Sequence, residues 1–231
     1  MGFDWNAIAF TASTWILPVL FAITLHEAAH GWVAWRLGDD TARALGRVSF
    51  NPLRHIDPVG TVLIPAVLLF GSGGRMMFGF AKPVPVDFSR FRKPRRDMVL
   101  VAAAGPGSNI LLAVFSALLI HGSVLFDANI ERWIMLNLVN SVWINLLLAV
   151  FNMLPLPPLD GGRVAAGLLP PELARQLARV ERASMVIILA ALFILPWIGD
   201  KMGFDLNIFR WLIGGPTAYL MDLVFSLTGV R

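Results

Sequence analysis

The sequence predicts an all-α polytopic membrane protein of about five transmembrane helices. Of its 231 residues, 57% are apolar and 15% are charged, whereas charged residues make up about a quarter of a soluble domain. The apolar residues form long runs separated by basic stretches, a pattern typical of helices that cross a bilayer. We therefore expect one membrane-embedded domain over residues 1–231, with no nucleic-acid partner despite a net charge of +4.

Five apolar runs are expected to cross the membrane: 5–35, 98–120, 133–156, 185–198 and 209–227. A further run, 59–70, is too short for a comfortable span, and a re-entrant segment at 59–74 is favoured over a crossing. Residues 76–88 alternate weakly and contain Pro83 and Pro85. They predict a small β-element between the first and second spans, with a plain surface loop as the alternative.

Basic residues favour one side of the membrane. If the run 59–70 returns without crossing, 16 of the 19 Lys and Arg residues lie on one side, which the positive-inside rule makes the cytoplasm. If it crosses, seven of them move to the opposite side. The favoured topology puts the N-terminus outside and Arg231 inside, with the basic cluster 90–96 against anionic lipid head groups.

The motif HEAAH places three ionisable groups inside the first apolar run. His26 and His30 are four residues apart, so they share one helix face and can bind one zinc ion. Glu27 can take a proton from zinc-bound water, whose pKa zinc lowers toward about 7. Ionisable residues at membrane depth are functional by default, although two packed histidines with Glu27 as their partner are the structural alternative.

A catalytic zinc site normally has three protein ligands and one open position. With no cysteine in the chain, the best third ligand is Asp160, within FNMLPLPPLDGGR. Prolines stop the preceding helix there, and Gly161 and Gly162 permit a tight turn that aims the carboxylate inward. An ordinary solvated Asp-Gly turn is the alternative. Two further crossings return the chain to the side of His30, so the topology that suits the basic residues also suits a shared zinc ion.

Three segments together resemble the signatures of the site-2 protease family of intramembrane zinc metalloproteases: HEAAH, AGPGSN at 104–109 and NMLPLPPLDGG at 152–162. NPLRHIDPVGTVLIP and GFAKPVPV resemble its compact bacterial and archaeal members, which lack a PDZ domain. The resemblance covers about residues 20–165. It implies a peptidase core at 5–165 with accessory C-terminal spans at 166–231. It also implies that His26, His30 and Asp160 bind one Zn2+ per chain, with Glu27 as the catalytic base.

The same resemblance marks two amides, Asn109 and Asn152. Either side chain can donate to the oxyanion of a tetrahedral intermediate or position the substrate backbone, and an interhelical hydrogen bond is the alternative. Gly105 and Gly107 are expected to permit close helix packing. In the family, a β-element in the place of residues 76–88 clamps an unwound substrate by strand addition.

Three ionisable residues lie outside these motifs. We expect His55 to be a solvated interfacial histidine, with a role as zinc ligand or substrate contact as the alternative. His121 is expected at the outer end of the second span. Asp222 lies in the last apolar run and faces either a cavity or the membrane exit.

The expected function is hydrolysis of peptide bonds in membrane-spanning protein or peptide substrates. The resemblance implies a prokaryotic cell membrane, with the active site toward the cytoplasm. The main alternative is a catalytically inactive zinc-binding scaffold, which would need a closed site with a fourth ligand such as His55. An ion transporter would need polar residues through both leaflets, and a prenyl-protein type protease has a different metal motif from LDGG.

Overall fold

The computed structural model describes residues 4–64, 67 and 81–230, and within them the regular structure is helical. The α-helices are α1 Trp5–Leu37, α2 Thr41–Ala44, α3 Pro94–Ile120, α4 Ala128–Asn152, α5 Asp160–Leu168, α6 Pro171–Leu189, α7 Leu195–Met202 and α8 Gly215–Thr228. Short 3₁₀ helices cover Pro52–Arg54, Phe88–Arg90 and Ser123–Leu125, and π-helical turns cover Pro58–Leu63, Ala190–Ile194 and Arg210–Gly214.

In the part of the chain that the structure describes, three helices are long and apolar enough to cross a membrane: α1, α4, and α3 with the turn that follows it. They pack antiparallel in chain order. We call the end of this bundle where α1 ends and α3 begins the site end, and the end near His121 and Asp127 the far end. At 33 residues, α1 is longer than a membrane-spanning helix needs, and it continues through Pro18.

Small and polar side chains hold the three helices together. Trp133 Nε1 of α4 donates to Ser13 Oγ of α1 at 2.9 Å, and Asn140 Nδ2 donates to the Thr14 carbonyl at 3.0 Å. An apolar cluster with small alanines lies between α3, α4 and α8: Ala113, Ala117, Val142, Leu146 and Val224. Small residues let helix backbones approach closely, which is how helices associate without a hydrophobic driving force in lipid.

The last helix, α8, runs in the opposite direction to our expectation. Its Val224 packs beside Ala113 and Ala117 of α3, and His121 Nε2 lies 2.8 Å from the Thr228 carbonyl. The helix α8 is therefore parallel to α3 and ends at the far end. The expectation that α8 ends on the side of the basic residues is therefore wrong for its described part; Arg231 lies outside the described residues.

The reason is the shape of the preceding segment. Residues Pro171–Glu181 and Val186–Met202 meet at 67°, which makes this pair a broken span or a re-entrant loop. Because α6 begins at the site end and α8 leaves from it, a re-entrant loop fits the direction of α8. Lys201 and Arg210 then lie toward the site end, together with the described basic residues that follow α1 and precede α3.

Among the described residues there are three candidate spans by length and composition, or four if the bent pair is one span, so the expected number of five is not confirmed. The predicted β-element is not seen in its described part, since residues 81–87 have no strand structure; residues 76–80 lie outside the described residues. Asp57 caps the Pro58–Leu63 turn at the start of the expected re-entrant segment. Residues 65–66 and 68–74 of that segment also lie outside the described part.

The sidedness of α8 can be tested directly because the chain has no cysteine. We expect single cysteines at Asp127 and Val230 to react with a membrane-impermeant maleimide from one side. Cysteines at Arg92 and Lys201 should react only from the other side. Labelling of intact and permeabilised cells distinguishes the two sides. Reaction of the Val230 position together with Arg92 would contradict the parallel arrangement of α3 and α8.

Candidate metal centre

Three side chains from distant parts of the chain converge at the site end of the bundle. His26 and His30 project from one face of α1, and their Nε2 atoms are 3.0 Å apart. Asp160 is the first residue of α5, and its Oδ2 lies 3.2 Å from His26 Nε2 and 3.3 Å from His30 Nε2. All three side chains are buried. The two Nε2 atoms and Asp160 Oδ2 therefore form a triangle that can bind a single ion.

The triangle has the dimensions of a zinc site. Zinc bonds to imidazole nitrogen and carboxylate oxygen are about 2.0–2.2 Å long, so ligand atoms in a tetrahedral site are about 3.3 Å apart. The observed separations are close to this value. Within the described residues, these three alone among His, Asp and Glu form a group able to hold a metal ion. Three ligands with one position left open are typical of catalytic rather than structural zinc.

Asp160 is also electrostatically prepared for a cation. Burial raises the pKa of this carboxyl group, but the neighbouring His26 and His30 together outweigh burial and hold the pKa below its ordinary value. A lowered pKa favours the ionised form, which a metal ligand needs.

A proline-rich turn presents Asp160 to the imidazoles. Residues 153–159 leave α4 and fold back against the start of α5, where a Cβ on Gly161 would overlap the Met153 and Leu154 carbonyls. A Cβ on Gly162 would lie 2.6 Å from the carbonyl carbon of Leu156. Both glycines are helical rather than part of a tight turn, so their role here is close approach of two backbone segments.

Hydrogen bonds to the other ring nitrogens orient both imidazoles. His30 Nδ1 lies 2.7 Å from the Val101 carbonyl of α3, so this nitrogen donates and Nε2 is left for a metal. His26 Nδ1 lies 2.6 Å from Asn109 Oδ1. Partners of this kind fix the tautomer and the ring orientation of metal-binding histidines.

The two marked amides take different positions. Asn109 is fully buried, and its Nδ2 donates to the Ala22 carbonyl at 3.1 Å and to Asn145 Oδ1 at 2.7 Å. Both amide hydrogens are thus used between helices, which favours the interhelical alternative over an oxyanion contact. Asn152 is partly buried and donates to the Leu148 carbonyl at 3.0 Å, and its role toward substrate stays a prediction.

Glu27 lies on the adjoining face of α1 and reaches the extended segment 81–87. Its Oε2 accepts a hydrogen bond from the Val84 amide at 2.8 Å. Two buried side chains hold this segment in place. Arg47 donates to the Lys82 carbonyl at 2.6 Å, and Asp39 Oδ2 accepts from the Asp87 amide at 2.7 Å. The carboxylate next to the two histidines therefore has a fixed orientation.

The remaining ionisable residues lie apart from the three-residue group. His55 is buried, with its Nε2 2.9 Å from the Ser49 carbonyl, so the expectation of a solvated histidine is wrong. It does not join the metal-binding group. His121 is exposed at the end of α3, as expected, and Asp222 is exposed beside Phe225 and Ser226 on α8.

Comparison with known proteins gives the family. The chain is 39% identical over 191 residues to YwhC of Bacillus subtilis, which is named as a zinc metalloprotease, covering 78% of this chain and 80% of that protein. The model of peptidase family M50 matches residues 124–195. The chain belongs to peptidase family M50, the site-2 proteases. It is accordingly a zinc metalloprotease and a multi-pass membrane protein, as the sequence motifs predicted.

Other M50 relatives extend the match. Rip2 of Mycolicibacterium smegmatis, also named as a zinc metalloprotease, is 30% identical over 210 residues, covering 90% of this chain and 77% of that protein. The regulator of sigma-E protease RseP of Escherichia coli is 28% identical over 119 residues, 50% of this chain and 25% of RseP. No solved structure matches the chain.

Two contacts at the M50 site lie outside the three sequence signatures. The Val84 amide that binds Glu27 is a backbone group, which no side-chain pattern reveals. Asn145, which binds Asn109, lies in an apolar run without a motif. The one available signal was its spacing of four residues from Ser141, a polar pair on one face of a spanning helix.

The signature AGPGSN provides a matched pair of glycines to test the site. A Cβ on Gly105 would lie 2.6 Å from His26 Nε2, while a Cβ on Gly107 meets nothing described within 4 Å. We expect Gly105→Ala to weaken zinc binding about tenfold or more, because the methyl group displaces the imidazoles. Gly107→Ala should bind zinc as the unchanged protein does. Chelator competition measures both, and equal affinities for the two variants would contradict the arrangement.

Proposed function

We propose that this M50 peptidase is an intramembrane endopeptidase that cuts membrane-spanning substrates, with one zinc ion held by His26, His30 and Asp160 and with Glu27 as the general base. The observation that carries the proposal is the convergence of two imidazoles and one carboxylate to within 3.0–3.3 Å of one another. When bound, zinc polarises the scissile carbonyl and makes water a better nucleophile at neutral pH.

The ligand residues have complementary tasks. His26 and His30 bind through Nε2, because hydrogen bonds engage the Nδ1 atoms of both rings. Asp160 comes from the other side and supplies negative charge to a cation at membrane depth, where an unpaired charge is costly. The remaining side of the triangle is available to water and the substrate carbonyl.

Glu27 moves the proton. Its carboxylate takes a proton from the attacking water and delivers it to the nitrogen of the departing peptide group, which becomes an amine. The Val84 amide holds one carboxylate oxygen at 2.8 Å, so the second oxygen is the one that can face the water. The segment 81–87 thus orients the base through a backbone amide.

The substrate class follows from where the ligands lie in α1. His26 precedes the end of α1 at Leu37 by eleven residues, or about 16 Å on a helical rise of 1.5 Å. This depth is inside a hydrocarbon core about 30 Å thick. The substrate bond has to reach the same depth, so membrane-spanning segments are the proposed substrates. The basic residues at the site end support a cytoplasmic orientation of that end.

The scaffold alternative has less support. A structural zinc site is closed by four protein ligands, and no fourth His, Asp or Glu of the described residues joins the group. His55, the residue considered for that position, binds the Ser49 carbonyl instead. We therefore retain the peptidase function.

Glu27→Gln separates catalysis from metal binding. Glutamine keeps the length of the side chain, and its carbonyl oxygen can still accept from the Val84 amide, but it cannot take up a proton. We expect the variant to keep its zinc and to lose cleavage of a transmembrane substrate by at least about 10²-fold. Zinc content and cleavage are measured on the same preparation, and His26→Ala serves as the control that loses both.

If Glu27→Gln cleaves at the unchanged rate, Glu27 is not the base. If it loses zinc along with activity, its role is structural, and the assignment of Glu27 is again wrong.

A further inference from the structure

A chain of buried hydrogen bonds leads from His26 through three helices. Asn109 of α3 and Asn145 of α4 both have 0% of their surface exposed. His26 Nδ1 is 2.6 Å from Asn109 Oδ1, Asn109 Nδ2 is 2.7 Å from Asn145 Oδ1, and Asn145 Nδ2 is 2.8 Å from the Ser141 carbonyl. Buried polar groups of this kind are expensive unless each has a partner.

The Ser141 carbonyl, at the end of this series of hydrogen bonds, sets the direction of each bond in it. The carbonyl of Ser141 can only accept, so the Asn145 amide nitrogen must face it. This orientation turns Asn145 Oδ1 toward α3, where it accepts from Asn109 Nδ2. Asn109 then presents its own oxygen to the imidazole.

The orientation of Asn109 decides the tautomer of His26. Facing an oxygen, His26 Nδ1 must donate a hydrogen, which leaves the lone pair of Nε2 free for a metal. If Asn109 were reversed, its NH₂ group would face Nδ1 and favour the tautomer with a hydrogen on Nε2. That tautomer cannot bind zinc through Nε2.

We propose that Asn145 is a positioning residue of the zinc site, which holds Asn109 in the orientation that selects the metal-binding tautomer of His26. The inference rests on the proposed role of His26 as a ligand. The Ala22 carbonyl also accepts from Asn109, at 3.1 Å, so Asn145 shares the task with one longer bond. The loss of Asn145 should therefore weaken the site without abolishing it.

Two substitutions of nearly equal size test this role. Asn145→Leu fills the space but offers no acceptor. Asn145→Asp keeps an oxygen toward Asn109 and, when protonated, can donate to the Ser141 carbonyl as the amide does. We expect Asn145→Leu to raise the zinc dissociation constant about tenfold, within the range seen when outer partners of metal ligands are lost. Asn145→Asp should restore the affinity to within about threefold of the unchanged protein.

The order of these two variants is the decisive readout. A residue that only fills space would tolerate leucine better than a buried acid, because an acidic group is costly inside a membrane. A positioning residue requires the reverse order. Asn145→Ala, which removes the same acceptor with a smaller side chain, should weaken zinc binding as Asn145→Leu does, and it replaces that variant if leucine prevents folding.

Ser116→Ala is the matched control. Ser116 is also buried, and its Oγ lies 2.8 Å from Ser141 Oγ. That hydroxyl is 3.3 Å from Asn145 Nδ2, whereas the Ser141 carbonyl that orients Asn145 is at 2.8 Å and makes no bond to Ser116. Zinc dissociation constants for all variants are measured by chelator competition in detergent. Ser116→Ala should match the unchanged protein, and a loss equal to that of Asn145→Leu would mean general loosening of the bundle and would overturn the proposal.

The remaining outcomes separate this inference from the proposed function. If Asn145→Leu and Asn145→Ala bind zinc normally while His26→Ala does not, the positioning role is wrong and the zinc site stands. The positioning role is also wrong if Asn145→Asp binds no better than Asn145→Leu. If His26→Ala binds zinc normally, the proposed ligand set itself is wrong, and the role of Asn145 is lost with it.

Discussion

The structure depends on the convergence of two imidazoles and one carboxylate at membrane depth. His26, His30 and Asp160 are buried among apolar helices, where an ionised side chain without a partner is destabilising by several kcal/mol. Their ligand atoms lie 3.0–3.3 Å apart, so one cation would compensate the carboxylate charge at a single point. The antiparallel order of α1, α3 and α4 meets this requirement, because it returns the chain to the site end just before Asp160.

Residues of the helices around the site leave space for its side chains and orient them. Gly105 leaves space beside the imidazoles, and Gly161 allows the proline turn to lie against α5. Val101 and Asn109 orient the rings from α3, and Asn145 continues the hydrogen bonds into α4. Arg47 and Asp39 hold the segment whose Val84 amide binds Glu27. The sequence signatures therefore contain residues that leave space for the ligands or orient them, as well as the ligands themselves.

Much of this candidate site could be predicted from sequence, because helical spacing puts His26 and His30 on one face and the proline-rich segment before LDGG offers Asp160 as a third ligand on the same side. Other features could not be. The direction of α8 depends on a 67° bend in a segment whose composition resembles a span. The burial of His55 depends on the backbone of Ser49, and the partner of Glu27 is a backbone amide. Contacts that involve backbone groups or distant helices leave little mark in a local pattern.

The zinc content of purified Asp160→Ala tests the central claim most directly, because Asp160 is over a hundred residues from the histidines and has no reason to affect metal binding unless it shares the ion. After passage over a chelating resin, we expect about one zinc per chain in the unchanged protein and almost none in the variant. An Asp160→Ala variant that retains one zinc per chain would contradict the account.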